Sequence, residues 1–111
     1  MSLFSSISQE SNITNLEQIP LSTSLSLKNE LDALTIEALR DDLERLGNSG
    51  QDVDLDFTEV TFIDSSGIGA LVFLFKRLRA TKSTLRLHGV QGQPLELIQY
   101  LRIDKSIQVN G

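Results

Sequence analysis

Residues 52–78, DVDLDFTEVTFIDSSGIGALVFLFKRL, decide the fold. At the start Val53, Leu55 and Phe57 alternate with Asp52, Asp54 and Asp56. That period of two belongs to a strand with one buried face and one face in water. Toward the end Ile68, Leu71, Val72, Phe75 and Leu78 recur at three- and four-residue spacings, which is the stripe of a long helix. Lys76, Arg77, Arg79 and Lys82 gather at its last turns, where cations complement the partial negative charge of a helix C-terminus. Between the two lie Asp64, Ser65 and Ser66, whose side-chain oxygens can accept from the unpaired N–H groups of a first helical turn. The stretch reads as strand, cap, helix.

Upstream, Leu21, Thr23, Leu25 and Leu27 alternate with Ser22, Ser24, Ser26 and Lys28, predicting a second half-buried strand. Asp32 is placed to cap a helix through Leu46 with Ile36, Leu39, Leu43 and Leu46 inward, and Gly47 to supply a left-handed C-terminal cap. Residues 12–19 form a candidate edge strand ended by Pro20, which lacks the N–H of a central strand. Residues 1–11 show neither period and read as a flexible lead-in, leaving 12–111 as a single domain. Downstream, Leu85 and Leu87 alternate with Arg86 and His88 in a third strand. Gly92, Gln93 and Pro94 open a helix with Leu95, Leu97, Ile98 and Leu101 inward, and residues 107–109 form a last short strand.

The element order is β, β, α, β, α, β, α, β, with right-handed crossovers. Sheets covered by helices on both sides carry continuous apolar strands, whereas these strands are two-faced. The expected class is therefore α/β: a mixed, mostly parallel sheet of four to five strands with helices packed mainly on one face. That disfavours a doubly wound nucleotide-binding fold.

A chain of 111 residues, 40% hydrophobic and 23% charged, has the size and composition of one globular domain. The absence of cysteine excludes disulfides, a thiol nucleophile and thiolate metal ligands, and fits a reducing compartment. No basic residue precedes Lys28, so a secretory signal is not expected and the expected location is cytoplasmic. The longest nearly apolar run, residues 67–75, is about half of the roughly 20 residues that span a bilayer; membrane insertion is not expected. Residues 1–65 hold 13 acids and 3 bases, residues 66–111 hold 2 acids and 7 bases. A fold that interleaves the two parts neutralises much of that asymmetry, so nucleic acid is not an expected partner.

The segment Phe62, Ile63, Asp64, Ser65, Ser66, Gly67, Ile68, Gly69 concentrates the functional signal. Gly67 and Gly69 cost roughly 1 kcal/mol each relative to Ala inside a helix, so glycine in a first turn implies that something approaches closely. Here the chain resembles the STAS domain of anti-sigma-factor antagonists over residues 12–109. The likeness rests on Asn29-Glu30-Leu31-Asp32-Ala33, on Leu55-Asp56-Phe57 with Val60-Thr61-Phe62-Ile63, and above all on Asp64-Ser65-Ser66-Gly67-Ile68-Gly69.

The resemblance implies that Ser65 is phosphorylated by a partner that is both anti-sigma factor and serine kinase, of the histidine-kinase-like ATPase type, and that a serine phosphatase restores the binding-competent form. It further implies that Asp32, Asp64, Ser65, Ser66, Gly67, Ile68 and Gly69 lie on the partner surface, with no catalysis by the chain and no cofactor; on residue type alone Ser66 reads as only a cap. A STAS accessory subunit docking on an ABC transporter ATPase is the neighbouring role; the serine directly after Asp64 favours the regulator. Two positions depart from the family pattern. Asn29 stands where Gly is usual, tolerable if that residue is left-handed, and Arg102-Ile103 replace the usual Gly-Leu.

Other chemistries fare worse. Asp52, Asp54 and Asp56 could hold magnesium, but side chains at i, i+2 and i+4 spread along a strand rather than converge. Cross-strand pairing with Arg86 or Lys28 is expected instead. A Ser-His-Asp hydrolase is conceivable on composition, yet the G-x-S-x-G elbow is absent and His88 falls at the far end of another strand from Ser65. No phosphate-binding glycine loop occurs. The Lys76, Arg77, Arg79, Lys82 cluster reads as a solvated helix end.

Overall fold

The computed structural model describes residues 22–111. In chain order these form β1 (Ser22–Leu31), α1 (Ala33–Ala38), α2 (Arg40–Gly47), β2 (Asp52–Ile63), α3 (Ser65–Ala80), β3 (Leu85–His88), α4 (Gly92–Tyr100), a 3-10 turn (Ile103–Lys105) and β4 (Gln108–Val109). The sheet order is β1-β2-β3-β4 and each neighbouring pair is parallel. The lead-in and the candidate edge strand at 12–19 lie outside the described residues.

Alternation sets the two faces. Val53, Leu55, Phe57, Leu85 and Leu87 turn inward, and Leu43, Leu46, Leu71, Leu74, Leu78 and Ile98 of the helices close over them in a single core cluster. The helices thus cover one face, as the two-faced strands predict. On the other face Arg86 forks onto Asp54, with Nε to Oδ1 at 2.7 Å and Nη2 to Oδ2 at 3.1 Å, and reaches Asp52 at 3.5 Å. His88 Nε2 meets Asp54 Oδ1 at 2.6 Å, and Asp56 accepts from both the N–H and the hydroxyl of Thr58. The expected pairing with Arg86 is present. Lys28 instead stands in register with Glu59.

β2 is longer than its alternation predicts because it bulges twice against β1. Register runs from Ser22↔Asp52 to Leu31↔Ile63, with shifts after Ser26 and after Asn29, so β2 gains two residues over β1. Its buried side chains accordingly fall at Val53, Leu55 and Phe57, then at Val60 and Ile63, the period changing from two to three. An even number of extra residues returns both strand ends to the core side. Asn29, at the second shift, has φ +64°, the left-handed conformation that makes asparagine tolerable there.

Three expectations need correction. The helix expected from Asp32 to Leu46 is two helices, because Leu39 (φ −94°, ψ 1°) ends α1 and starts α2; the bend keeps both Ile36 and Leu43 on the core. Gly47 is not a left-handed cap. It lies within α2, and a Cβ there would come 3.2 Å from Cβ of Arg77, so glycine lets α2 approach α3. Leu101 is not inward but 46% exposed, since α4 ends at Tyr100 and Arg102 turns left-handed at φ +61°. Ile103 packs on the core beyond it.

Two predictions follow from strain and charge. A non-glycine left-handed residue costs about 1–2 kcal/mol, partly offset in the reverse change by the entropy of glycine. Arg102→Gly is therefore expected to raise the unfolding free energy by up to about 1 kcal/mol in urea titrations, and Arg102→Val to lower it. The Arg86 guanidinium, with His88 a smaller donor and burial opposing both, holds the Asp54 carboxyl down at about 2. A depressed carboxylate stabilises the fold above its unfolded pKa, and that contribution disappears as pH falls from about 4 toward 2. With its side chain 21% exposed, Asp54 contributes roughly 2 kcal/mol at neutral pH. Asp54→Asn should lose that amount at pH 7 and show a flatter stability curve between pH 4 and 2.

Candidate functional site

Leu31 and Ile63 end adjacent parallel strands in register, so the residues after them, Asp32 and Asp64, emerge side by side. Each caps a helix. Asp64 Oδ1 accepts from the backbone N–H groups of Ser66 at 2.8 Å and Gly67 at 3.1 Å. Asp32 Oδ1 accepts from the N–H and the hydroxyl of Thr35, both at 3.0 Å, which holds its carboxyl below the usual carboxylate range. The Asp64 N–H donates to Leu31 O at 3.2 Å, tying the two turns together. The N-termini of α1 and α3 therefore leave the sheet at one edge, at the carboxyl ends of the strands where α/β folds place their binding surfaces.

Ser65 is the first residue of the 16-residue helix α3. Its side chain is exposed, and among the described residues none hydrogen-bonds its hydroxyl. Ser66 is half-buried and does not cap; Asp64 has that role and Ser66 supplies a donated N–H. The two glycines separate. At Gly67 a Cβ would lie 2.7 Å from Leu31 O and 2.5 Å from Ile63 Cγ1, so the close approach inferred from sequence comes from within the protein. At Gly69 a Cβ would meet nothing within 4 Å, so the fold itself sets no steric need for glycine. Ile68 is half-buried against the core.

Sequence reasoning missed three features here. Leu34, in the turn capped by Asp32, is 82% exposed, and Phe62, just before Ile63, is 41% exposed. Leu34 stands outside the Ile36, Leu39, Leu43 stripe, which was the available signal. An open groove of ≈ 270 Å³ between α1, α2 and α3 is lined by Ile36, Leu43, Ala70 and Phe73 with the charged Glu37, Glu44 and Arg40, the last paired with Glu37. The third feature is Gln93 at the start of α4. Its Oε1 accepts from Ile63 N–H at 2.8 Å and its Nε2 donates to Ile63 O at 3.0 Å. Nothing in the local sequence of Gln93 signals that contact.

The competing chemistries are not assembled. His88 is bonded to Asp54 on the open face of the sheet, away from α3. Among the described residues no group of three acidic, histidine or cysteine side chains is arranged to hold a metal ion, and no helix is long and apolar enough to cross a membrane. The basic cluster lies exposed at the end of α3, as a solvated helix end does, and within it Arg77 lies over the Phe73 ring at 4.7 Å and donates to Asn48 Oδ1 at 3.0 Å.

The two glycines give opposite expectations. Gly67→Ala should destabilise the protein by about 1–3 kcal/mol through overpacking, whereas Gly69→Ala should stabilise it by up to about 1 kcal/mol through helix propensity. Thermal melts of the two variants, run side by side, check the signs.

A family model described as the STAS domain matches residues 14–110. The anti-sigma-B factor antagonist of Listeria monocytogenes is 32% identical over 83 residues, which are 74% of this chain and 73% of that protein. The anti-sigma-B factor antagonist of Bacillus subtilis is 23% identical over 87 residues, covering 78% and 80%. Among solved structures, a putative anti-sigma factor antagonist from Thermotoga maritima superposes with a TM-score of 0.69 at 16% identity, covering 84% of this chain and 81% of that one. The phosphorylated form of the Bacillus cell fate determinant SpoIIAA gives 0.65 at 20% identity, covering 84% and 86%. With the strand order, the paired aspartate caps and a match spanning nearly all described residues, the chain belongs to the STAS domain family.

Proposed function

We propose that this protein is a phosphorylation-controlled interaction switch of the anti-sigma-factor antagonist kind, working by binding rather than by turnover, in the cytoplasm. The observation that carries the reading is the Ser65 hydroxyl, exposed and unbonded at the first position of α3, directly beside the Asp64 cap. A kinase can reach it without opening the core.

A phosphoserine adds about −1.5 to −2 charges at pH 7. A helix N-terminus favours an anion, so modification leaves the fold intact and its effect falls on the interface. Asp32, Asp64 and the phosphate would then crowd negative charge onto one edge, opposing any partner surface that fits the unmodified site. A loss of 2–3 kcal/mol weakens binding by roughly 30- to 150-fold, enough for a switch. The partner fitting this reading is a serine kinase of the histidine-kinase-like ATPase type that doubles as an anti-sigma factor, with a serine phosphatase resetting the system.

The expected outcome is that Ser65→Ala binds this partner as wild type does, that Ser65→Glu loses about 30- to 150-fold in affinity, and that all three proteins melt alike. Capture from cell extract with wild-type and Ser65→Glu baits, read by mass spectrometry, identifies the kinase, and titration calorimetry then gives the affinities. Equal affinities across the set would remove Ser65 from the mechanism.

A further inference from the structure

β3 stops at His88, while β2 continues to Ile63, so the last residues of β2 have no strand on the side away from β1. Both backbone groups of Ile63 nevertheless find partners, and both belong to Gln93: Oε1 on the N–H at 2.8 Å, Nε2 on the carbonyl at 3.0 Å. The carboxamide stands in for the missing strand's peptide group. Ile63 is fully buried, so its N–H and C=O would otherwise be left unpaired away from water, at the full desolvation cost of both groups.

The consequence lies one residue on. Asp64 follows Ile63, donates to Leu31 on the other side of β2 and caps α3 under Ser65. β2 is thus gripped on one side by β1 and on the other by Gln93 at the point where the turn begins. We infer that Gln93 is a positioning residue for the Ser65 turn, through which the placement of α4 sets the geometry offered to the modifying enzyme. This rests on the proposed role of Ser65 for its biological meaning, though not for its structural content.

Two neighbours make the inference separable from general stability. Gln91 also donates a side-chain amide to backbone, at Thr58 O (3.1 Å), farther from the Ser65 turn along β2, and serves as a control of like chemistry. Gln93→Glu keeps the shape but at neutral pH presents two acceptors, one of them facing the Ile63 carbonyl. Only the protonated acid regains the donor and acceptor pattern of the amide.

The test is residue-resolved amide hydrogen exchange by NMR, which reads local opening apart from global unfolding. In Gln93→Ala the Ser66 and Gly67 amides, held by Asp64, should exchange about tenfold or more faster relative to the Leu55 and Leu87 amides. Gln91→Ala should leave that ratio as in wild type. Gln93→Glu should resemble Gln93→Ala at pH 7 and return toward wild type below about pH 4. Uniform acceleration of all amides in Gln93→Ala, or no acceleration, overturns the inference, as does a Gln93→Glu profile indifferent to pH. Phosphorylation by the partner recovered above separates the two ideas. Positioning predicts a lower kcat/KM on Gln93→Ala, and an unchanged value overturns it. A partner that phosphorylates neither wild type nor variant removes the role of Ser65, while the exchange ratios still decide the role of Gln93.

Discussion

The parallel register that sets Leu31 beside Ile63 governs the rest of the molecule. Two strands ending level place two aspartates at neighbouring turns, and each aspartate starts a helix by accepting from its first-turn N–H groups. Because Asp64 N–H bonds to Leu31 O, the turns form one unit. Gly67 is what allows that unit to close, its missing side chain leaving room for the Leu31 carbonyl and the Ile63 side chain.

A charge added at Ser65 meets a particular environment. Ser66 and Gly67 N–H groups already serve Asp64, so a phosphate would feel the field of α3 without displacing those bonds. Its oxygens would face outward from an exposed side chain. Under the proposed reading this separates the two effects a modification can have: the fold keeps its cap, and the surface gains negative charge and bulk. Leu34, exposed in the first turn of α1, and the groove against α3 offer apolar contact close by, so such a surface can combine apolar burial with charge discrimination.

What the sequence revealed was local, and what it concealed was relational. Alternation at Val53, Leu55 and Phe57 and the stripe from Ile68 to Leu78 mark elements because burial imposes a period on neighbours. The Asp64 cap and the exposure of Ser65 follow from the same short stretch. The two bulges of β2 cannot be read there, since a bulge is a mismatch with another strand, and Val60 and Ile63 obey a period that only pairing with β1 explains. Gly47 misleads for a like reason: its position fits a helix end, but its cause is the proximity of Arg77, thirty residues later. Ser66 was legible as a cap by type, yet Asp64, two residues earlier at the N-cap position, accepts from the Ser66 and Gly67 amides. Gln93 gives no local sign at all, because its partner is a backbone rather than a side chain.

Amide side chains complete the sheet elsewhere too. Asn110 accepts from Val90 N–H and donates to Val90 O, both at 2.8 Å, while its own N–H reaches Leu87 O at 2.7 Å. β4 itself comprises only Gln108 and Val109. A foreign strand arriving at that border would find two residues of free ladder, too little to template pairing. By keeping that outer strand so brief, the protein leaves almost no ladder along which copies could stitch together on that side.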